Sequence, residues 1–312
     1  MEFRYIKTTI LSLTCAVSIV CCRNIQSNQS KEIDGIKDLK EQLYDYVNLS
    51  PGTVGIAIVS DNDTITINNG VHYGMMSVFK LHEALAVCGT LERKETSVDS
   101  ILTISQNELD EDTWSPMLKE YGKRDLSLPI RDLIKYAVSS SDNNASNILY
   151  ARVVSPRETD QFVKSIAADT TFSIKHTEAD MELDHALYYE NFTSPLSAAL
   201  LIRQVFTSPL ITPQNQELIK DALLASTTGQ DRIGAIMSAD SDIIFGHKTG
   251  SGARNKSGEL TVFNDVAYIK LPNGVDYSLA VLLRDFYGSD EDAVKVMADI
   301  SSMVYSYFRN RQ

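Results

Sequence analysis

Usable cysteine is nearly absent from this chain. Of its four cysteines, Cys15, Cys21 and Cys22 crowd into the first 22 residues, which leaves Cys88 alone in the remainder. A single thiol closes no internal disulfide and builds no cysteine cage for a metal, so Cys88 reads as a small buried hydrophobe. Basic charge is also scarce. The 29 Lys and Arg face 41 Asp and Glu, for a net charge of −12, and with no cationic excess to displace phosphate counterions a general nucleic-acid binder is excluded. The five histidines (His72, His82, His176, His185, His247) show no zinc-ligand spacing, and His82-Glu83 lacks the second histidine of an H-E-x-x-H helix. No metal or cofactor is expected. Internal repeats are missing as well.

A run long enough to cross a bilayer is the last absence. The apolar stretch Thr8–Cys22 has about 15 residues, against the ~20 that a membrane helix needs. Arg4 and Lys7 precede it, and Arg23 and a polar stretch follow, which is the layout of a secretory signal. Residues 1–22 therefore read as a signal peptide and 23–32 as a linker, with export to the periplasm expected. The Ser18-Ile-Val-Cys21 run loosely resembles a lipoprotein processing site, although Val20 stands where a small residue is usual. Lipid anchoring at Cys21 and simple cleavage both stay open.

Apolar residues are plentiful. At 43% of 312 residues they can fill a sizeable core, in one large domain or two modest ones. Ile33–Val47 carries apolar residues at helical spacing. Val54–Val59 and Thr64–Asn68 flank Asp61-Asn62-Asp63 as strand, turn and strand. From Ser77 to Leu224 the pattern is helical, with caps expected at Ser127-Leu128-Pro129, Ser194-Pro195 and Thr212-Pro213. Strands return at Ile243–Lys248, Thr261–Leu271 and Tyr277–Arg284, the last two joined by Asn273-Gly274 as a hairpin turn. A helix over Asp290–Phe308 closes the chain. The expected architecture is α/β (α+β) and two-lobed. Residues 33–72 together with 230–312 build an antiparallel sheet flanked by helices, and 73–229 form an inserted helical lobe. Ligand sites favour such interfaces.

Three short stretches carry candidate chemistry. Ser77 and Lys80 lie three residues apart at the start of an apolar helix, which puts them on one face, roughly 5–6 Å apart at Cβ. The positive end of the helix dipole and burial disfavour an ammonium there, and a neutral lysine can take the proton of a serine hydroxyl. A capping serine and a snorkelling lysine are the plainer alternative. Ser141-Asp142-Asn143 joins two helices, which is also ordinary capping chemistry. Lys248-Thr249-Gly250-Ser251 follows a strand, and its glycine permits close backbone approach.

Together, Ser77-x-x-Lys80, Ser141-Asp-Asn143 and Lys248-Thr-Gly250 occur in the order found in class A β-lactamases and penicillin-binding proteins. The chain resembles a class A serine β-lactamase over residues 33–310. Pro129-Ile-Arg-Asp-Leu-Ile, Ser141-Asp-Asn-Asn-Ala-Ser-Asn, Asp265-Val-Ala-Tyr and Thr113-Trp-Ser-Pro-Met resemble its CfxA- and PER-type branch most. The resemblance implies β-lactam antibiotics as substrates, an acyl-enzyme on Ser77, and Lys80 hydrogen-bonded to Ser77 to help activate it. It implies Ser141 as proton relay to the departing nitrogen and Asn143 as a ligand of the substrate amide. Lys248, Thr249, Ser251 and Arg232 would hold the substrate carboxylate. The backbone N–H groups of Ser77 and Ser251 would form an oxyanion hole. Trp114, the only tryptophan, would wall the pocket. A surface ion pair for Arg232 and a core position for Trp114 are the plainer alternatives.

The deacylating base is sought in Lys175–Pro195, where matching His176-Thr-Glu-Ala-Asp-Met181 to the branch selects Glu178, with Glu182 as the alternative. The family usually has an asparagine at the position of Glu182 and an ion pair bracing the loop, whereas here His176 and Asn191 stand near the loop's ends. A differently held loop would open the pocket to bulky cephalosporins. His247 reads as structural and His82 as a partly buried helix residue. The competing readings are a D,D-peptidase with slow deacylation and a non-hydrolytic β-lactam sensor. A monomer is the default expectation.

Overall fold

The computed structural model describes residues 35–239 and 242–311, so the signal and linker lie outside the described residues. Residues 35–48 form helix α1, in which buried Leu39, Leu43 and Val47 recur at every fourth position.

Beyond it the chain runs β1 (Thr53–Ser60), β2 (Thr64–Ile67), β3 (Tyr73–Gly74), a 3₁₀ turn (Met76–Val78), α2 (Phe79–Arg93) and β4 (Ile101–Ile104). Next come α3 (Pro116–Tyr121), β5 (Leu126–Pro129), α4 (Ile130–Ser139), α5 (Asn143–Arg152), α6 (Pro156–Ile166) and β6 (Phe172–Ser173). Then follow α7 (Glu178–Leu183), a 3₁₀ turn (His185–Tyr189), β7 (Phe192–Thr193), α8 (Pro195–Thr207) and α9 (Pro213–Leu224). A 3₁₀ segment (Ile233–Ala239), β8 (Ile244–Ser251), β9 (Leu260–Lys270), β10 (Asp276–Phe286) and α10 (Asp290–Arg309) complete it.

The main sheet has the order β2-β1-β10-β9-β8 and every pairing is antiparallel. β1 pairs along its whole length with β10, so early and late segments close one sheet, as expected. Side-chain alternation gives the sheet two faces. Ala57, Val59, Val266, Tyr268, Ala280 and Leu282 join the core shared with α8 and the other helices. Their neighbours Ile56, Ile58, Ala267, Ile269, Leu279 and Val281 are buried on the opposite face, where α10 packs. The β9–β10 hairpin turns at Asn273-Gly274, where Gly274 takes φ = +88°, a conformation that costs glycine nothing.

Helix α2 is buried on every side. Each residue from Phe79 to Leu91 is buried, including Lys80, His82, Glu83 and Cys88. His82 is thus wholly rather than partly buried. Desolvation lowers its pKa to about 3, which keeps it neutral against the edge of Phe172. Burial likewise pushes the Cys88 thiol up to about 12, in keeping with an inert packing residue.

Two expected caps differ. Ser127-Leu128-Pro129 belongs to strand β5, paired with β4, and Pro129 fills the cap position of α4 with φ = −68° and no side-chain cap. Buried Leu126 and Leu128 explain this: alternation ties the segment to the core before the helix begins. Thr212 makes no cap bond either, because its hydroxyl donates to Oε1 of Glu92 at 2.6 Å. Ser194 does cap α8, accepting from the Ser197 N–H, with Pro195 just inside.

Candidate active site

Ser77 sits in the 3₁₀ turn that leads into α2, and Lys80 lies in the first turn of that helix. The expected direct bond between them is replaced by a shared acceptor. The Ser77 hydroxyl donates to Oε1 of Glu178 at 2.5 Å, and the Lys80 ammonium pairs with the same oxygen at 3.0 Å. Lys80 Nζ also donates to the Ser141 carbonyl (2.8 Å) and to Oδ1 of Asn143 (2.5 Å). Its three donors are thereby spent on three oxygens, which is how a fully buried lysine avoids an unpaired charge.

The link between α4 and α5 supplies the second wall. Asp142 is buried, and its carboxylate accepts from the N–H groups of Ala145 (2.8 Å) and Met117 (2.7 Å) and from the Ser115 hydroxyl. This one side chain caps α5 and fastens the start of α3 to it. Ser141, just before, holds φ = +58°, a region non-glycine residues enter only when their surroundings enforce it. The enforcement is visible: Lys80 grips its carbonyl, and Lys248 Nζ donates to its hydroxyl at 3.0 Å.

The third wall is the free edge of the sheet. The Gly252 N–H bonds the Val262 carbonyl, which fixes the hydrogen-bonding phase of the β8–β9 ladder. Residues 248 and 250 direct their backbone groups to β9, while Thr249 and Ser251 direct theirs away, toward Ser77. Consistently, the Thr249 carbonyl accepts from Lys248 Nζ at 2.9 Å. Gly250 makes the approach possible, since a Cβ there would overlap the Met75 carbonyl oxygen and crowd Val78. Ser77 and Ser251 thus face each other across the cleft, with their N–H groups in a helix-leading turn and on an unpaired strand edge. Arg232 is buried behind Ser251. It donates to the Ser251 hydroxyl and to the Asn264 carbonyl, each at 2.7 Å, and lies over the Phe263 ring. It is not a surface ion pair.

Glu178 opens helix α7, where Thr177 and Asp180 form a capping box. The loop's ends are joined by an amide. Oδ1 of Asn191 accepts from the N–H groups of Lys175 (2.8 Å) and His176 (3.0 Å), and its Nδ2 donates to the His176 carbonyl (2.8 Å). Outside this clamp, Glu190 meets Lys175 and His176 at the surface, and those bonds hold its carboxyl below the usual value. Glu182, the alternative to Glu178, points elsewhere: its Oε1 accepts from Nδ2 of Asn143 at 3.0 Å and from the Thr113 hydroxyl.

The model of the β-lactamase enzyme family matches residues 38–308. A β-lactamase of Phocaeicola vulgatus is 43% identical over 269 residues, covering 86% of this chain and 84% of that protein. The extended-spectrum β-lactamase PER-1 of Pseudomonas aeruginosa is 28% identical, with 86% and 87% covered. Among solved structures, a class A β-lactamase from Bacteroides cellulosilyticus superimposes with a TM-score of 0.83 at 28% identity, covering 88% of this chain and 98% of that one. This chain belongs to the β-lactamase enzyme family, class A. It is therefore a hydrolase that acts on β-lactams, with the antiparallel-sheet and helix fold expected from its sequence.

The β-lactamase cleft has a volume of about 380 Å³ and is lined by Ser77, Ser141, Asn143, Glu178, Arg232, Thr249 and Ser251 among others. Trp114 stands at its rim, half exposed, with its Nε1–H on the Ser140 carbonyl at 2.9 Å and Lys119 over its ring. Lys248 is buried below the cleft floor. Desolvation, followed by the charge of Lys80, drives its pKa well below the ordinary lysine value. Met181, Glu182, Tyr188 and Thr228 also line the cleft, and no motif marked Tyr188 or Thr228 in advance. Thr228 shares a 2.6 Å hydrogen bond with Thr249, and its position after α9, far from Lys248 in sequence, hid that pairing. His247 is tied to Asp265 at 2.9 Å, both fully buried, which matches its structural reading.

Proposed function

We propose that this hydrolase opens penicillins and cephalosporins through an acyl-enzyme on Ser77 that a water activated by Glu178 then releases. The observation that carries the reading is the Ser77 hydroxyl bonded to Glu178 Oε1, with the Lys80 ammonium on the same oxygen. Glu178, with Lys80 beside it, takes the hydroxyl proton as Oγ attacks the lactam carbonyl. The carbonyl oxygen becomes an oxyanion between the N–H groups of Ser77 and Ser251, an arrangement worth about 10²–10³ in rate per donor. Ser141, on Lys248, passes a proton to the departing ring nitrogen. Lys248, Thr249, Ser251 and Arg232 hold the substrate carboxylate, and Asn143 the side-chain amide. The proton that Glu178 took is relayed through Lys80 to Ser141, replacing the one given to the ring nitrogen, so Glu178 is again a carboxylate. A water in place of the Ser77 hydroxyl then gives it a proton and attacks the ester, and that proton passes to Ser77 Oγ as it leaves.

The loop clamped through Asn191, with Glu182 turned to Asn143 and Thr113, supports a pocket that favours bulky cephalosporins. Turnover of oxyimino-cephalosporins against benzylpenicillin tests that preference; a strong penicillin bias removes it. We also propose export by the N-terminal signal to the periplasm, and a monomer. Fractionation with mass analysis of the mature N-terminus would tell cleavage from lipidation at Cys21. The central test is steady-state nitrocefin hydrolysis with intact-protein mass spectrometry. Wild type turns over, and Ser77→Ala neither turns over nor gains mass. A burst of acylation without turnover would favour a D,D-peptidase, and no adduct at all a non-covalent sensor.

A further inference from the structure

The cleft carries charge of both signs on different walls. Buried Arg232 on Ser251 and Lys248 beneath Ser141 supply the positive charge. The wall formed by Asn143 and Thr113 carries the exposed carboxylate of Glu182, which accepts from the Asn143 amide at 3.0 Å and the Thr113 hydroxyl. Both donors are neutral, and among the described residues no Lys, Arg or His forms an ion pair with Glu182. Lys80 does not offset it, because its charge is matched by Glu178 at 3.0 Å. Asn143 links Lys80 to Glu182: its Oδ1 accepts from Lys80 Nζ and its Nδ2 donates to Glu182 Oε1.

A fused β-lactam carries its ring carboxylate on one side of the reacting carbonyl and its acylamino substituent on the other. With the carboxylate at Arg232 and the carbonyl at Ser77, the acyl side chain runs past Asn143 toward Glu182. We infer that Glu182 is a specificity-determining residue that selects β-lactams bearing a protonated amine on the acyl side chain and disfavours those bearing a second carboxylate there. This rests on the acyl-enzyme reading above and names the substrate class within it. The mechanism is Coulombic: an exposed pair separated by a few ångströms is worth about a 3- to 10-fold change in kcat/KM, more at low salt.

The test compares three penicillins that differ only at the carbon beside the acyl carbonyl, which bears an amine, a hydrogen or a carboxylate. At about pH 6 the amine is charged. In the wild-type enzyme the amine-to-carboxylate ratio of kcat/KM is expected to fall as salt is added. Glu182→Gln is expected to lower that ratio by about 3- to 10-fold, and Glu182→Lys to lower it further. A ratio unchanged in both variants overturns the inference. Should neither variant fold, the wild-type salt dependence decides alone, and a salt-insensitive ratio overturns it equally. Hydrolysis of all three without charge dependence removes only this inference, whereas failure to hydrolyse any of them removes the acyl-enzyme reading and this with it.

Discussion

The Ser77 hydroxyl donates to Glu178 Oε1 at 2.5 Å, so the proposed nucleophile and its proposed base are in direct contact. The two residues lie 101 positions apart in sequence, and only the fold joins them. Glu178→Gln keeps the shape and removes the base. Turnover is expected to fall by about 10²–10⁴-fold, the usual range for losing a general base. With Lys80 still beside Ser77 to take its proton, acylation should slow less than deacylation, and a covalent acyl adduct on Ser77 should accumulate in intact-mass spectra. If Glu178→Gln turns over normally while Glu182→Gln stalls as the adduct, the base belongs to Glu182.

Gly250 presses the sheet edge against the Ser77 turn, since even one methyl there would overlap the Met75 carbonyl and touch Val78. Gly250→Ala is expected to push β8 away from Ser77 by a few tenths of an ångström or more. Displaced oxyanion donors should cost about 10²-fold or more in kcat. The overpacking itself should cost roughly 1–3 kcal/mol of stability. Nitrocefin kinetics together with chemical denaturation separate the two effects. A variant with wild-type kcat would mean that the strand edge tolerates the shift.

Much of this was legible in the sequence, for identifiable reasons. The long strands of the main sheet, buried on both faces, show as apolar runs bounded by turn residues, and Asn273-Gly274 announces its own turn. The three motif segments each carry a backbone signal, a helix start, a helix junction and a strand end, and the structure does bring Ser77 and Ser141 to one cleft, with Lys248 buried beneath it on the Ser141 hydroxyl. Other features had no local signature. The ribbon β3-β7-β6 is made of two-residue strands, too short for any period. The Ser77–Glu178 contact overrode the expected Ser77–Lys80 bond, because the tertiary position of α7, not helical spacing, decides which acceptor is nearest. Asp142 looked like an ordinary cap, and its second grip on Met117 depends on α3 folding back against it.

Asn191 holds both ends of the segment that carries Glu178, through three bonds to the backbone of Lys175 and His176. It is fully buried. Asn191→Ala leaves two N–H donors and a carbonyl short of partners, at a cost of about 1–3 kcal/mol for each that water cannot reach. The expected outcome is a lower Tm and faster hydrogen exchange confined to residues 175–191. Deacylation should slow more than acylation, because Glu178 loses its fixed distance to Ser77. Unchanged exchange in that segment would show that the Glu190 contacts with Lys175 and His176 are sufficient to brace it.

Glu83 lies one turn beyond Lys80 in α2, fully buried, with Oε2 accepting from the Ser146 hydroxyl at 2.7 Å and Oε1 without a partner. Desolvation holds its carboxyl well above the ordinary value, and the opposing pulls of Ser146 and Lys80 are smaller. Above the unfolded value of about 4.3, the unfolded chain has released this proton while the folded chain retains it. The folded state then binds more protons, so stability falls as pH rises and levels off only above the folded pKa. Glu83→Gln removes that dependence. Its amide introduces a buried N–H group of its own, but the cost of that group does not vary with pH, so the slope is the readout and not the offset. From about pH 4.5 upward, the Tm of Glu83→Gln should rise relative to wild type until the folded pKa of Glu83 is passed. Parallel Tm curves would mean that Glu83 is already ionised in the folded protein, balanced by Lys80 in place of a proton.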